Sequence, residues 1–217
     1  WQAALNLSHK LGGSMPLSRL LEDATWYARN GIAVTASQAH NSRAKLHELA
    51  AVAGFAQTYL PNAAAPVAGS VLKNTALADT LDWLAAHGLD DFYRGDIARA
   101  NGADLCAAGS PLRLADLQQH QALLVNPLQA QLNGVRLYNL PAPTQGLASL
   151  LILAQYQRML AGHADGFDHL HRLVECTKSA FIVRDAEITD PRFMRSDPTR
   201  WLQAEGITAL AARINPM

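Results

Sequence analysis

The pair Asn133-Gly134 constrains this chain more than any other two residues. Before it, Leu128, Ala130 and Leu132 alternate with Gln129 and Gln131; after it, Val135 and Leu137 alternate with Arg136 and Tyr138. Strict alternation puts one set of side chains on one face of a strand. Asn-Gly supplies the two positive-φ residues that a type I′ turn needs. The stretch therefore predicts a β-hairpin within 123–140. Pro127 has no N–H to give to a ladder, so it marks a bulge or an edge position.

Around the hairpin the apolar period is that of helices. In "PLSRLLEDATWYARNGIAVT" the residues Leu17, Leu20, Leu21, Ala24, Tyr27 and Ala28 fall on one face. Pro16 opens that helix and Gly31 closes it. A second helix is expected from Thr35 to about Ala53, stopping at Gly54. Pro61, Pro66 and Gly69 then punctuate a loop. Asn74 or Thr75 caps the next helix and Gly88 ends it. Further helices are expected from about Gly95 to Gly109, over a short turn at "LRLADLQQHQ", from about Gln145 to Leu160, and over "FDHLHRLVECTKSAFIVRDAEI". Two short ones follow in the tail, near "TRWLQAEG" and "ITALAARI". No internal repeat interrupts this order. The fold class read from the pattern is α+β, helix-rich with one ribbon, and 1–217 is taken as a single domain.

The 18 basic and 18 acidic residues cancel, so no surplus of charge points to nucleic acid or an anionic membrane surface. The most apolar stretch, Leu147 to Ala154, is too short to span a bilayer. The chain opens at Trp1 in an amphipathic pattern without Met and stops at "ARINPM", so it reads as a fragment or a processed subunit.

The chemistry-bearing residues are sparse. In "NLPAPTQGLASLL", Thr144 is placed to accept a hydrogen bond from a first-turn amide, and Gly146 allows a close backbone approach. No phosphate-loop spacing accompanies them, so the expectation is a strand stopped by prolines and a helix capped by Thr. His163, His169 and His171 cluster. His169 and His171, two apart, project to different sides of a helix, and no third ligand appears, so solvated or capping roles are expected rather than a metal. Asp185, Glu187 and Asp190, beside Arg184, fit a capped helix end and an Asp-Pro turn better than acid–base catalysis. Cys106 and Cys176 belong to no CxxC and have no adjacent base, so both are expected in the core as inert thiols. Ser110 and the other loop serines lie in no GxSxG. No reaction follows from these motifs.

Several segments, taken together and in order, resemble the large subunit of the γ-glutamyltranspeptidase family: "PLSRLLEDATWYARNGIAVT", the run from Asn74 to His120 with its "FYRGDIA" and "PLRLADL", then "NPLQAQLNGVRLYNLPAPTQG" and "HRLVECTKSAFIVRDAEITDP". The resemblance covers almost the whole chain. It departs from the family pattern where Ser-Ser-Gly-Gly is replaced by Thr144, Gln145, Gly146 and Leu147, where Gly-Asp-Pro is Thr189, Asp190 and Pro191, and where Arg113 stands at a helix cap usually held by Thr.

The resemblance implies an N-terminal nucleophile hydrolase with an αββα sandwich, to which this chain would contribute helices and the hairpin. It implies a precursor that cuts itself, a partner small subunit whose new N-terminal Thr attacks an amide, and a small-molecule γ-glutamyl or other acyl amide as substrate. No cofactor and no metal are called for, and neither nucleic acid nor membrane is an expected partner. The family's nucleophile and most substrate contacts lie in the small subunit, so the resemblance places no catalytic residue on this chain, and its substrate-binding residues are not identified. Members are mostly exported, which implies a periplasmic or secreted protein. An acylase acting on a β-lactam side chain, and a non-catalytic truncated scaffold, are the alternatives.

Overall fold

A computed structural model describes residues 1–159 and 165–214 of the chain. The chain divides into two compact units, Trp1–Ala122 and Leu123–Met217. No described helix is long and apolar enough to cross a membrane.

The first unit contains α1 (Gln2–Lys10), α2 (Leu17–Asn30), β1 (Ile32–Ala33), α3 (Ala36–Ala44), α4 (Leu46–Leu49), α5 (Phe55–Tyr59), β2 (Val71–Leu72), α6 (Thr75–His87), α7 (Asp91–Arg94), α8 (Asp96–Ala107) and α9 (Leu114–Gln119). Its centre is the packing of α2 on α6. Leu21 meets Leu81, Leu84 and Leu89, with Leu5, Leu17, Ala85 and Ile97 around them. Three- and four-residue spacing puts these side chains on facing helix stripes. The apolar face expected on α2 is only partly covered, for Leu20 and Tyr27 remain exposed. Asn74 accepts the Leu77 amide at 3.0 Å and so caps α6, as its position suggested. Arg29 reaches from α2 to Asp79 and Asp82 of α6, at 2.9 and 2.7 Å. All three side chains are well exposed, so the bridge orients the helices and adds little stability.

The single helix expected over 35–53 is instead two. Thr35 caps α3 through the Gln38 amide, but Lys45 (φ −94, ψ 1) breaks the run before α4. Only Ala39 of α3 is buried, so little packing holds these residues in one straight helix. The pair β1–β2, antiparallel with Ile32 opposite Leu72 and Ala33 opposite Val71, lacks the length to show alternation in sequence.

The second unit holds β3 (Leu128–Leu132), β4 (Val135–Asn139), α10 (Gly146–Met159), α11 (Gly166–Glu187), two 3₁₀ turns (Pro191–Phe193 and Pro198–Leu202) and α12 (Ala204–Ala211). The hairpin forms as its sequence predicts. Leu128 pairs with Asn139, Ala130 with Leu137 and Leu132 with Val135. Asn133 and Gly134 carry the turn at φ 48 and 79. Leu128 and Ala130 are buried, while Gln129 and Gln131 face outward.

The apolar stretch of the sequence is α10, and it is central. Leu147, Ala148, Leu150 and Leu151 pack with Leu128 and Ala130 of the ribbon, Ala180 and Val183 of α11, and Leu210 of α12. A helix with apolar side chains on several sides is stable only when enclosed on those sides. Leu151 is fully buried. Leu151→Ala should therefore lower unfolding stability by about 2–5 kcal/mol. Urea titration followed by circular dichroism should show the midpoint falling with an unchanged slope.

Candidate functional site

The strand-to-helix junction after β4 closes on itself. The Thr144 hydroxyl accepts the Gly146 amide at 3.2 Å and lies within donating distance of the Leu140 and Pro141 carbonyls, at 3.0 and 2.9 Å. A side chain at Gly146 would collide with the Leu140 carbonyl oxygen and approach Asn139 Oδ1 to 2.9 Å. Glycine is required there because the chain passes close to its own backbone. The amides at the start of α10 are thus engaged by neighbouring residues, and the junction turns the chain as expected. Gln145 extends the lock, its Oε1 accepting from Arg184 Nη1 of α11 at 3.1 Å.

The two described histidines of the cluster separate, as their spacing implied. His169 Nδ1 lies 2.6 Å from the Tyr156 hydroxyl of α10. His171 stacks on Phe167, with ring centroids 5.6 Å apart. It is half-buried with its Nε2 lacking a partner, so neither ring is the solvated or capping group expected. His163 lies outside the described residues. Among the described residues no three His, Cys, Asp or Glu side chains are grouped to hold a metal ion.

The acidic residues at the end of α11 are structural. Asp185 pairs with Arg184, whose guanidinium lies 3.7 Å from the Phe181 ring centroid. Glu187 Oε1 accepts from Trp201 Nε1 at 2.8 Å and Arg200 Nη2 at 2.6 Å, tying α11 to the second 3₁₀ turn. That anchoring has no local spacing signal, because its donors lie 13 and 14 residues away. Asp190 accepts the Arg192 amide at 2.9 Å, and the ion pair with Arg192 holds its carboxyl below the usual range. Asp197 accepts the Thr199 amide at 2.9 Å. Both Asp-Pro steps are therefore side-chain-capped turns.

Cys176 is fully buried, and burial pushes its thiol up to about 11, so it is inert as expected. Cys106 is exposed, contrary to the core position expected for it. Ala98 and Gly102 form the buried line of α8. Cys106 falls at the edge of that line, in the last turn of the helix, where the wheel has rotated out of contact. Ser110 accepts the Leu112 amide at 3.2 Å in a loop.

"FYRGDIA" has a local physical reason. The Asp91 carboxylate accepts the amides of Ile97 and Asp96, at 2.9 and 3.2 Å, satisfying two orphan donors at the start of α8. Gly95 is needed because any Cβ there would collide with the Asp91 carboxylate. Arg94 reaches the His120 carbonyl at 2.7 Å and pins the end of α9. At α9 the Arg113 amide donates to Asp116 Oδ2 at 2.8 Å. That bond is the half of a capping box that needs no hydroxyl, which accommodates Arg113 at the cap.

The family model of gamma-glutamyltranspeptidase matches residues 2–217. The oxamate amidohydrolase proenzyme of Klebsiella pneumoniae is 46% identical over 216 residues, covering 99% of this chain and 41% of that protein. The glutathione hydrolase-like YwrD proenzyme of Bacillus subtilis is 32% identical, covering 99% and 40%. The cephalosporin acylase of Bacillus halodurans superposes with a TM-score of 0.86 at 27% identity, over 93% of this chain and 39% of that one. The chain thus spans about two fifths of the length of these relatives.

Two substitutions test the junction and the motif. Gly146→Ala should cost about 1–3 kcal/mol through overpacking, read as a lower urea midpoint. Asp91→Ala should cost about 1 kcal/mol at neutral pH, as lost helix caps do. The Ile97 amide, ahead of the Trp83 and Asp96 donors, holds the Asp91 carboxyl below its ordinary value. Its contribution is therefore full above the unfolded-state value of about 4 and fades as pH falls through the lower folded value. The stability gap between wild type and Asp91→Ala, measured by thermal melts from pH 7 down to pH 3, should close on the acid side.

Proposed function

Since this chain belongs to the gamma-glutamyltranspeptidase family, we propose that it is the large-subunit portion of a self-processing amidohydrolase. Both of its units belong to that one subunit. The reaction is hydrolysis of a small amide that carries a carboxylate, with oxamate as the leading substrate. The observation that carries this reading is the 46% identity, sustained over 99% of the chain, to an oxamate amidohydrolase proenzyme.

In the mechanism proposed, an N-terminal Thr on the partner polypeptide attacks the amide carbon. Its α-amine takes the hydroxyl proton, because a hydroxyl is a weak nucleophile without an adjacent base. Preorganised amides steady the oxyanion. The C–N bond breaks, ammonia leaves with the transferred proton, and water hydrolyses the ester to release the acid. No residue of this chain is assigned a chemical role. Its contribution is the framework built around α10, on which the partner is positioned. That none of its chemistry-bearing side chains forms a nucleophile–base pair is consistent with such a division.

A second reading, cleavage of γ-glutamyl amides such as glutathione, is favoured by the name of the 32% identical Bacillus subtilis relative. The full proenzyme should be assayed for ammonia release from oxamate and for aniline release from a γ-glutamyl anilide. Oxamate should be preferred at least about tenfold in kcat/KM, which is about 1.4 kcal/mol of transition-state discrimination. Preference for the anilide would replace the first reading by the second. Turnover of neither, with no self-cleavage, would leave a scaffold.

A further inference from the structure

The segment between α9 and β3 is an anomaly for a connector. Within the described residues, no main-chain group from Gln121 to Pro127 enters a main-chain hydrogen bond. Yet it reads Ala122-Leu123-Leu124-Val125, with Leu123, Leu124 and Val125 exposed by 79%, 96% and 52%. Connectors in water are normally polar and flexible. Successive strand side chains point to opposite faces, so four apolar residues in a row are the pattern of a strand covered on both.

The neighbouring ribbon is also incomplete. Its sheet has two strands, β3 and β4, and a lone hairpin is marginal in water. With Leu132 and Val135 closing a two-residue turn, Gln129, Gln131, Arg136 and Tyr138 direct their main-chain groups to the outer edges. Within the described residues, none of those groups has a main-chain partner outside the ribbon.

We infer that Ala122–Val125 is a strand that pairs with an extended strand from the remainder of the same proenzyme. This rests on the function proposed above. The chemistry selects a strand as occupant, because only another extended backbone meets a row of free N–H and C=O groups while its side chains cover apolar neighbours. A helix laid on the segment would cover the leucines and leave those groups unsatisfied. The rest of the proenzyme is the source, because the aligned region spans only 41% of the Klebsiella pneumoniae relative, leaving more than half of such a polypeptide to supply the strand.

Hydrogen exchange read by mass spectrometry, on this chain alone and on the full processed protein, tests the inference. In the chain alone the amides of Ala122–Asn126 should exchange at rates close to those of an unstructured peptide. In the full protein they should slow by at least about a hundredfold. Fast exchange in both would overturn it. So would slow exchange in the chain alone, which would mean that its own residues or a second copy cover the segment. Oxamate turnover does not enter this readout, so failure of the proposed activity is separately visible. As a second arm, Leu124→Asp should lower recovery of the assembled protein by about tenfold, because a charge would be buried at the seam. Leu124→Thr should retain assembly, and the circular dichroism of the chain alone should be unchanged by either. Equal recovery of the Asp variant would overturn the inference.

Discussion

Enclosure of α10 is the constraint on which the C-terminal unit depends. Leu147, Ala148, Leu150 and Leu151 meet the ribbon, α11 and α12 at once, so each of those elements is held by its contact with one helix. The polar locks work at its margins. Thr144 and Gln145 fix where it begins, and Arg158 reaches Thr208 of α12 at 2.8 Å near its end. At the far end of α11, Glu187 pins the 3₁₀ turn that precedes α12. Burial supplies the stability here, and hydrogen bonds set the register of the parts.

The parts of the fold legible in the sequence were those with a strong local cause. Asn133-Gly134 allows little besides a tight hairpin turn, and Asn74 and Thr35 act through amides three residues away. What escaped depends on distant partners or on weak packing. Nothing near Lys45 marks a helix break, because α3 buries only Ala39 and so gains little from continuing. The strand pair β1–β2 is two residues long and brings Ile32 to Leu72, a pairing without any periodic trace. Cys106 was misplaced because a small apolar residue in a helix reads as core until the helix's buried line is known.

The candidate site was less legible than the fold, and for a different reason. The segments that carry the family likeness turn out to be shaped by backbone geometry. "FYRGDIA" is a carboxylate folded back over a glycine onto a helix start. The proline-rich junction is a chain crossing itself at Gly146. Such motifs are demanding because close approach and orphan amides tolerate few residues, and they survive in a chain whatever amide its relatives cleave. Substrate preference therefore cannot be read from them.

The two thiols differ in a way that is useful beyond the fold. Cys106 is open to solvent, whereas Cys176 is sealed beneath α10 with its proton held tightly. A maleimide dye would accordingly mark one known position on α8 without mutagenesis, leaving the interior untouched, and would report distances to any second label placed on a companion polypeptide.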